Sequence, residues 1–171
     1  MGADMEKFAD KVEGLLQEKG ACYAQLTDLL KKEREVIIAM DVDALWLITG
    51  KKNEIVKAVE ALRTRMINLF DAHGIDHGMD LNSFRLSLLA RLVPGSPKEK
   101  TGVETARIAI DGQKDEIQRL ASDNQRYVGE YLDVIHDVIS TIVTLTGQEQ
   151  YEVPGKLCEG KQPNHFIQAE V

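Results

Sequence analysis

From about Glu6 to Met40 apolar residues recur in alternating steps of four and three: Phe8, Val12, Leu15, Cys22, Leu26, Leu29, Val36 and Met40, with Lys19 and Glu33 as polar interruptions. Leu16, Tyr23, Leu30 and Ile37 run one position further on and widen the stripe beyond a two-stranded seam. A helix of this kind touches more than one neighbour. Gly14 and Gly20 each cost it about 1 kcal/mol relative to Ala, so packing rather than propensity has to hold it. Met40-Asp41-Val42-Asp43-Ala44-Leu45 reads as a boundary, with Asp41 or Asp43 capping the next helix. The pattern resumes as Leu45, Ile48, Ile55, Val59, Leu62, Met66 and Leu69, with Lys52 and His73 in the same series. So short a joint makes the two helices antiparallel if it is a true turn. Because no Gly or Pro marks it, a continuous or kinked helix is the alternative.

Gly74-Ile75-Asp76-His77-Gly78-Met79-Asp80 is a loop by composition. His73 and His77 beside Asp76 and Asp80 invite a metal reading, but the two glycines interrupt the helix that would align them, and a polar connector is preferred. Asn82 or Ser83 is placed to cap a short amphipathic helix through Phe84, Leu88, Leu89 and Leu92, ending at Pro94-Gly95-Ser96-Pro97. Val103 to Leu145 then runs about forty residues without proline, enough for a helix of roughly 65 Å.

The two halves of this last stretch differ. Val103, Ala106, Ile110, Ile117, Leu120 and Tyr127 form a one-faced pattern. From Tyr131 to Leu145 nine of fifteen residues are large and apolar, and Asp133, Asp137, Ser140 and Thr144 share one narrow row. Such a helix needs cover on more than one side. Beyond Gly147, a plausible stop, Pro154, Gly155, Gly160 and Pro163 break any periodicity, although Tyr151, Val153, Leu157, Phe166, Ile167 and Val171 are spaced through the segment. The expected architecture is all-α: an antiparallel bundle of three long helices with a short connecting helix over residues 1–146, and a flexible C-terminal tail over 147–171.

Composition agrees with a packed helical chain. Of 171 residues, 43% are apolar and 29% charged, aromatics are only 5%, and the formal charge is −7. That charge opposes general binding to nucleic acid or anionic membranes, and no basic run offsets it. The start, Met1-Gly2-Ala3-Asp4-Met5-Glu6, has neither the basic and apolar regions of a signal peptide nor the Ser or Thr of a myristoylation signal. The apolar run from Val134 to Leu145 is too short to span a bilayer, and Cys22 and Cys158 do not make a disulfide framework. The expectation is a cytoplasmic protein with no membrane insertion.

No Gly-rich phosphate loop, Cys-x-x-Cys pair or nucleophile motif is present, so no catalytic, cofactor-binding or metal site is expected. Lys19, Glu33 and Lys52 would have to meet between helices to form an active site. Isolated polar residues in a heptad seam more often fix register, and Lys19 and Asn124 sit where they would specify a helix pairing. His136 and His165 are read as a surface or partly buried histidine and a tail residue.

Leu29-Leu30-Lys31-Lys32-Glu33-Arg34-Glu35 before Met40-Asp41-Val42-Asp43-Ala44-Leu45, then Lys51-Lys52-Asn53-Glu54-Ile55-Val56 and Tyr151-Glu152-Val153-Pro154-Gly155, resemble the FlgN-type flagellar export chaperones in pattern and order over nearly the whole chain. The resemblance implies a cytoplasmic long-helix bundle that binds the C-terminal helical region of hook-filament junction (hook-associated) proteins before export through the flagellar type III apparatus. With helix-in-groove binding, the client surface falls on Leu132, Ile135, Val138, Ile139, Ile142, Val143 and Leu145. The resemblance further implies that Tyr151 docks the loaded complex on the cytosolic domain of the export gate, and it leaves room for a homo-oligomer when unloaded. A homodimeric helical scaffold or regulator is the other reading, since wide apolar stripes also serve self-association.

Overall fold

A computed structural model of the chain describes the backbone of residues 2–78 and 84–148 and the side chains of residues 8–78, 84–98 and 100–144. These residues form four helices, three long and one short: α1 (Gly2–Ile38), α2 (Val42–Ala72), α3 (Leu86–Leu92) and α4 (Pro97–Gln148). Among the described residues there is no strand. The chain divides into two compact units, Met1–Glu130 and Tyr131–Val171.

In the first unit the widened stripe of α1 is the organising surface. Phe8, Val12, Leu15 and Leu16 are buried with Leu62, Met66 and Phe70 of α2, Leu89 and Ala90 of α3, Val93, and Val103 and Ile110 of α4. Each large side chain so removed from water contributes about 1.5–3 kcal/mol. Side-chain pairings give the helix directions. Glu18 meets Arg65 and Glu33 meets Lys52, so numbers rise along α1 as they fall along α2. Against α4 they rise together: Gln113 donates to the Gly20 carbonyl, and Asn124 to that of Leu30.

The α1–α2 joint is a turn, not a continued helix. Met40 takes the left-handed conformation, φ 55°, that usually belongs to Gly. The Met40 N–H bonds the Ile37 carbonyl at 3.0 Å and the Asp41 N–H that of Val36 at 3.2 Å, which satisfies the last carbonyls of α1. Asp41 then caps α2, its carboxylate accepting from the Ala44 N–H at 2.9 Å, while Asp43 occupies the first turn. No Gly signals the turn because Met40 bears the strain itself. Met40 therefore leaves the buried stripe to which its spacing assigned it and is exposed. Met40→Gly is expected to stabilise the protein by about 1 kcal/mol, since it relieves a left-handed residue and uncovers no core. Urea unfolding would measure the gain.

Gly74, φ 66°, ends α2 in the same way, with the Gly74 N–H on Asp71 and the Ile75 N–H on the Phe70 carbonyl. The short helix departs from expectation. It begins at Leu86, after Phe84, with Arg85 as its N-cap and no side-chain cap bond; Asn82 and Ser83 lie outside the described residues. Phe84 packs on the core from the approach to this helix rather than from within it. The last helix starts six residues before Val103, at Pro97, whose fixed φ and missing N–H suit a first helical position. At 52 residues it is about 78 Å long, and Gly147, expected as its stop, lies inside it.

Candidate functional site

In the second unit, α4 from Leu132 on turns large apolar side chains outward. Leu132, Ile135, Val138, Ile139, Ile142 and Val143 are all exposed, at 49% to 63%. At 100° per residue these six fall within an arc of about 140°. Asp133, Asp137, Ser140 and Thr144 occupy the other side, with Thr141 and Thr144 turning their hydroxyls back to the Asp137 and Ser140 carbonyls at 2.8 Å. Val134, outside the predicted set, is equally exposed at 59%. The Leu145 side chain and the whole of Tyr151 lie outside the described residues.

The first unit carries a second apolar surface that sequence reasoning missed. Around the α1–α2 turn Ile38, Met40, Val42, Trp46 and Leu47 are exposed, Trp46 most of all. Leu45 to Ile48 are four consecutive apolar residues, pointing to every side of a helix, so periodicity did not single out the outward pair Trp46 and Leu47. Their one available signal was a tryptophan within the first two turns after a cap.

The polar residues of the seam separate into two places. Glu33, Lys52 and Asn124 meet in one layer: Lys52 pairs with one Glu33 oxygen, and Asn124 donates to the other at 3.0 Å and to the Leu30 carbonyl at 2.8 Å. Arg34 closes the layer, donating to Asn124 at 3.3 Å and pairing with Asp123 at 3.0 Å, with its guanidinium over the Tyr127 ring. Every member has a partner, and the groups come from α1, α2 and α4. That is the arrangement expected of a device that fixes register.

Lys19 lies fourteen residues earlier on α1, about 21 Å along the helix, so the three residues do not converge on an active site. Lys19 is only 6% exposed, its ammonium near the Tyr23 and Phe84 rings. Burial first, then the charges of Arg63 and Lys114, hold its pKa below the ordinary 10.5. Between that lowered value and 10.5 the unfolded chain still binds a proton that the folded chain has released, so native stability rises with pH across this window. Lys19→Met is expected to stabilise the protein by about 1 kcal/mol at neutral pH, with the gain shrinking as pH climbs towards 10.5. Urea midpoints at pH 7 and pH 10 check it.

The two loop histidines have local partners. His73 Nδ1 is 2.8 Å from the Leu69 carbonyl with its ring on Phe8, and His77 Nε2 is 3.0 Å from Asp71. Among the described residues no group of three His, Cys, Asp or Glu is arranged to hold a metal ion. No helix there is long and apolar enough to cross a membrane.

Among the described residues the first unit holds a packed helical core and the second an exposed apolar face on α4. The family described as FlgN protein matches residues 5–158, most of the chain. The chain belongs to the FlgN family. No curated protein and no solved structure matches it. FlgN proteins are flagellar export chaperones, a family of binding proteins rather than enzymes. The FlgN match takes in α1 from residue 5 on, all of α2, α3 and α4, and the sequence position of Tyr151.

Proposed function

We propose that this protein is a cytoplasmic chaperone of flagellar type III export that binds and masks the C-terminal helical region of hook-filament junction proteins and delivers them to the export gate. One observation carries the reading: the exposed apolar arc of α4. A client helix laid along Leu132, Ile135, Val138, Ile139, Ile142, Val143 and Leu145 would bury side chains at helical spacing, and the client's own apolar face would be hidden until export. Tyr151, six residues beyond Leu145, is assigned to docking on the cytosolic domain of the gate, where a ring and a hydroxyl suit a transient contact.

The test is titration calorimetry of the full chain against the C-terminal helical segment of a junction protein from the same organism. Saturable binding in the micromolar range or tighter, with a negative heat-capacity change, is expected. A folded sample that binds no such segment and instead self-associates through α4 would overturn the reading in favour of a homodimeric scaffold. Sedimentation velocity before and after addition of the segment separates the two.

A further inference from the structure

Around the α1–α2 turn Ile38, Met40, Val42, Trp46 and Leu47 are each more than half exposed, and the chaperone reading gives them no role. Ile38 closes α1 and Val42 opens α2 only four positions later. Trp46 stands one turn above Val42 on the same side of α2, with Leu47 beside it. Together the five leave on the order of 500 Å² of apolar side chain in water, the size of the largest patch on a typical monomer and one that is often functional. Trp46 is the chain's only tryptophan and, at 72%, the most exposed of the five. Tryptophan is ordinarily well buried and dominates the hot spots at which proteins meet. The packed core of the first unit does not include it.

The charge around the patch narrows what can cover it. From Glu35 to Gly50 the chain carries three acids, Glu35, Asp41 and Asp43, and no Lys, Arg or His. All three acids are exposed. The cations that bracket this segment are balanced by other acids: Arg34 pairs with Asp123, and Lys51 and Lys32 share the lining of a hollow between α1 and α2 with Asp28 and Glu54. A second copy docked about a two-fold axis would set the same patch against itself, three carboxylates against three. An anionic lipid surface meets the same repulsion. A segment with apolar side chains on one face and Lys or Arg flanking them satisfies both features at once. Val42 and Trp46 along one turn, with Leu47 beside them, make the kind of surface on which a helix with anchors at i, i+3 and i+4 packs.

We propose that the α1–α2 turn, centred on Trp46, docks a basic amphipathic helix of a partner protein distinct from the client helix assigned to α4. The patch belongs wholly to the first unit, and the proposal does not depend on the client surface.

Trp46 is its own reporter, because no other tryptophan contributes to the emission. The probe is a synthetic helix of about eighteen residues, five turns, with leucine on one face and lysine on the other, titrated into the full chain. A saturable blue shift of the Trp46 emission is expected, with a Kd at or below about 50 μM that weakens about fivefold or more at about 0.5 M salt. The same peptide with glutamate in place of lysine should bind about tenfold or more weakly. The triple variant Glu35→Gln, Asp41→Asn, Asp43→Asn keeps the N-cap of α2, since Asn caps as well as Asp, so it should fold normally and bind the lysine peptide about fivefold or more weakly. Val42→Gln with Leu47→Gln changes two exposed side chains outside the core and should weaken binding about tenfold, with Trp46 still in place to report it. An emission unchanged by the lysine peptide, an equal shift with the glutamate peptide, or undiminished binding by the folded triple variant would each overturn the proposal. So would a blue shift that grows with protein concentration alone, which assigns the patch to a second copy, or one produced by the junction-protein segment, which assigns it to the client.

Discussion

A chain carrying aspartate at both Val138 and Ile142 is expected to bind the junction-protein helix at least about a hundredfold more weakly while keeping its helical circular dichroism. The two residues stand one turn apart within the exposed arc, each 53% exposed. Burying the exposed half of such a side chain is worth about 1 kcal/mol, and a carboxylate in its place must also be desolvated or left in water at a broken contact. The cost to the helix itself is small. Valine and aspartate have similar helix propensities, and like charges four residues apart cost about 0.2–0.5 kcal/mol. Calorimetry with the client segment reads the loss, and the single variants should each show a part of it. Unchanged affinity in the double variant would move the client site away from this face.

Phe70→Ala is expected to destabilise the first unit by about 3–5 kcal/mol. Phe70 is fully buried, its ring edge-on to Phe8 at 5.1 Å and near His77, and its carbonyl receives the Ile75 N–H that ends α2. The cavity left would open under the aromatic cluster that closes this end of the core, and α1 and α2 cannot collapse into it without breaking that turn. Leu69→Ala, one position earlier and only partly buried, should cost clearly less. Urea unfolding of the two variants side by side gives the comparison.

The same pair of residues shows what the sequence made legible. Helix number, order and approximate length followed from apolar periodicity, and the loop at Gly74 from composition. The series through α2 nevertheless ran from Leu69 to His73 and passed over Phe70. A stride of 3.5 residues slips about 20° per heptad against a straight helix. Three heptads after Ile48 it has drifted by about 60°, and the next residue points closer to the core. The crowding of apolar residues from Tyr131 to Leu145 was readable, but not which of them stay exposed, since an apolar helix calls for cover without saying on which side it comes. The Trp46 surface was not, since consecutive apolar residues announce burial without saying which of them is buried. Lys19, Arg63, Arg85 and Lys114 are scattered from position 19 to position 114, and only the fold brings them to the lining of one cavity.

The polar layer of Glu33, Lys52 and Asn124 limits how this protein's length can change. It sits beyond the Glu18–Arg65 pairing on the same helices, so α1 and α2 are registered at two levels. Deleting one residue between Glu18 and Glu33 would turn the rest of α1 by about 100° and carry the Glu33 carboxylate away from both its partners. The Arg34 contacts with Asp123 and Asn124 would be lost in the same step. Insertions and deletions inside the paired helices are therefore tolerated only in compensating sets, one in each helix, whereas single changes have to fall outside them.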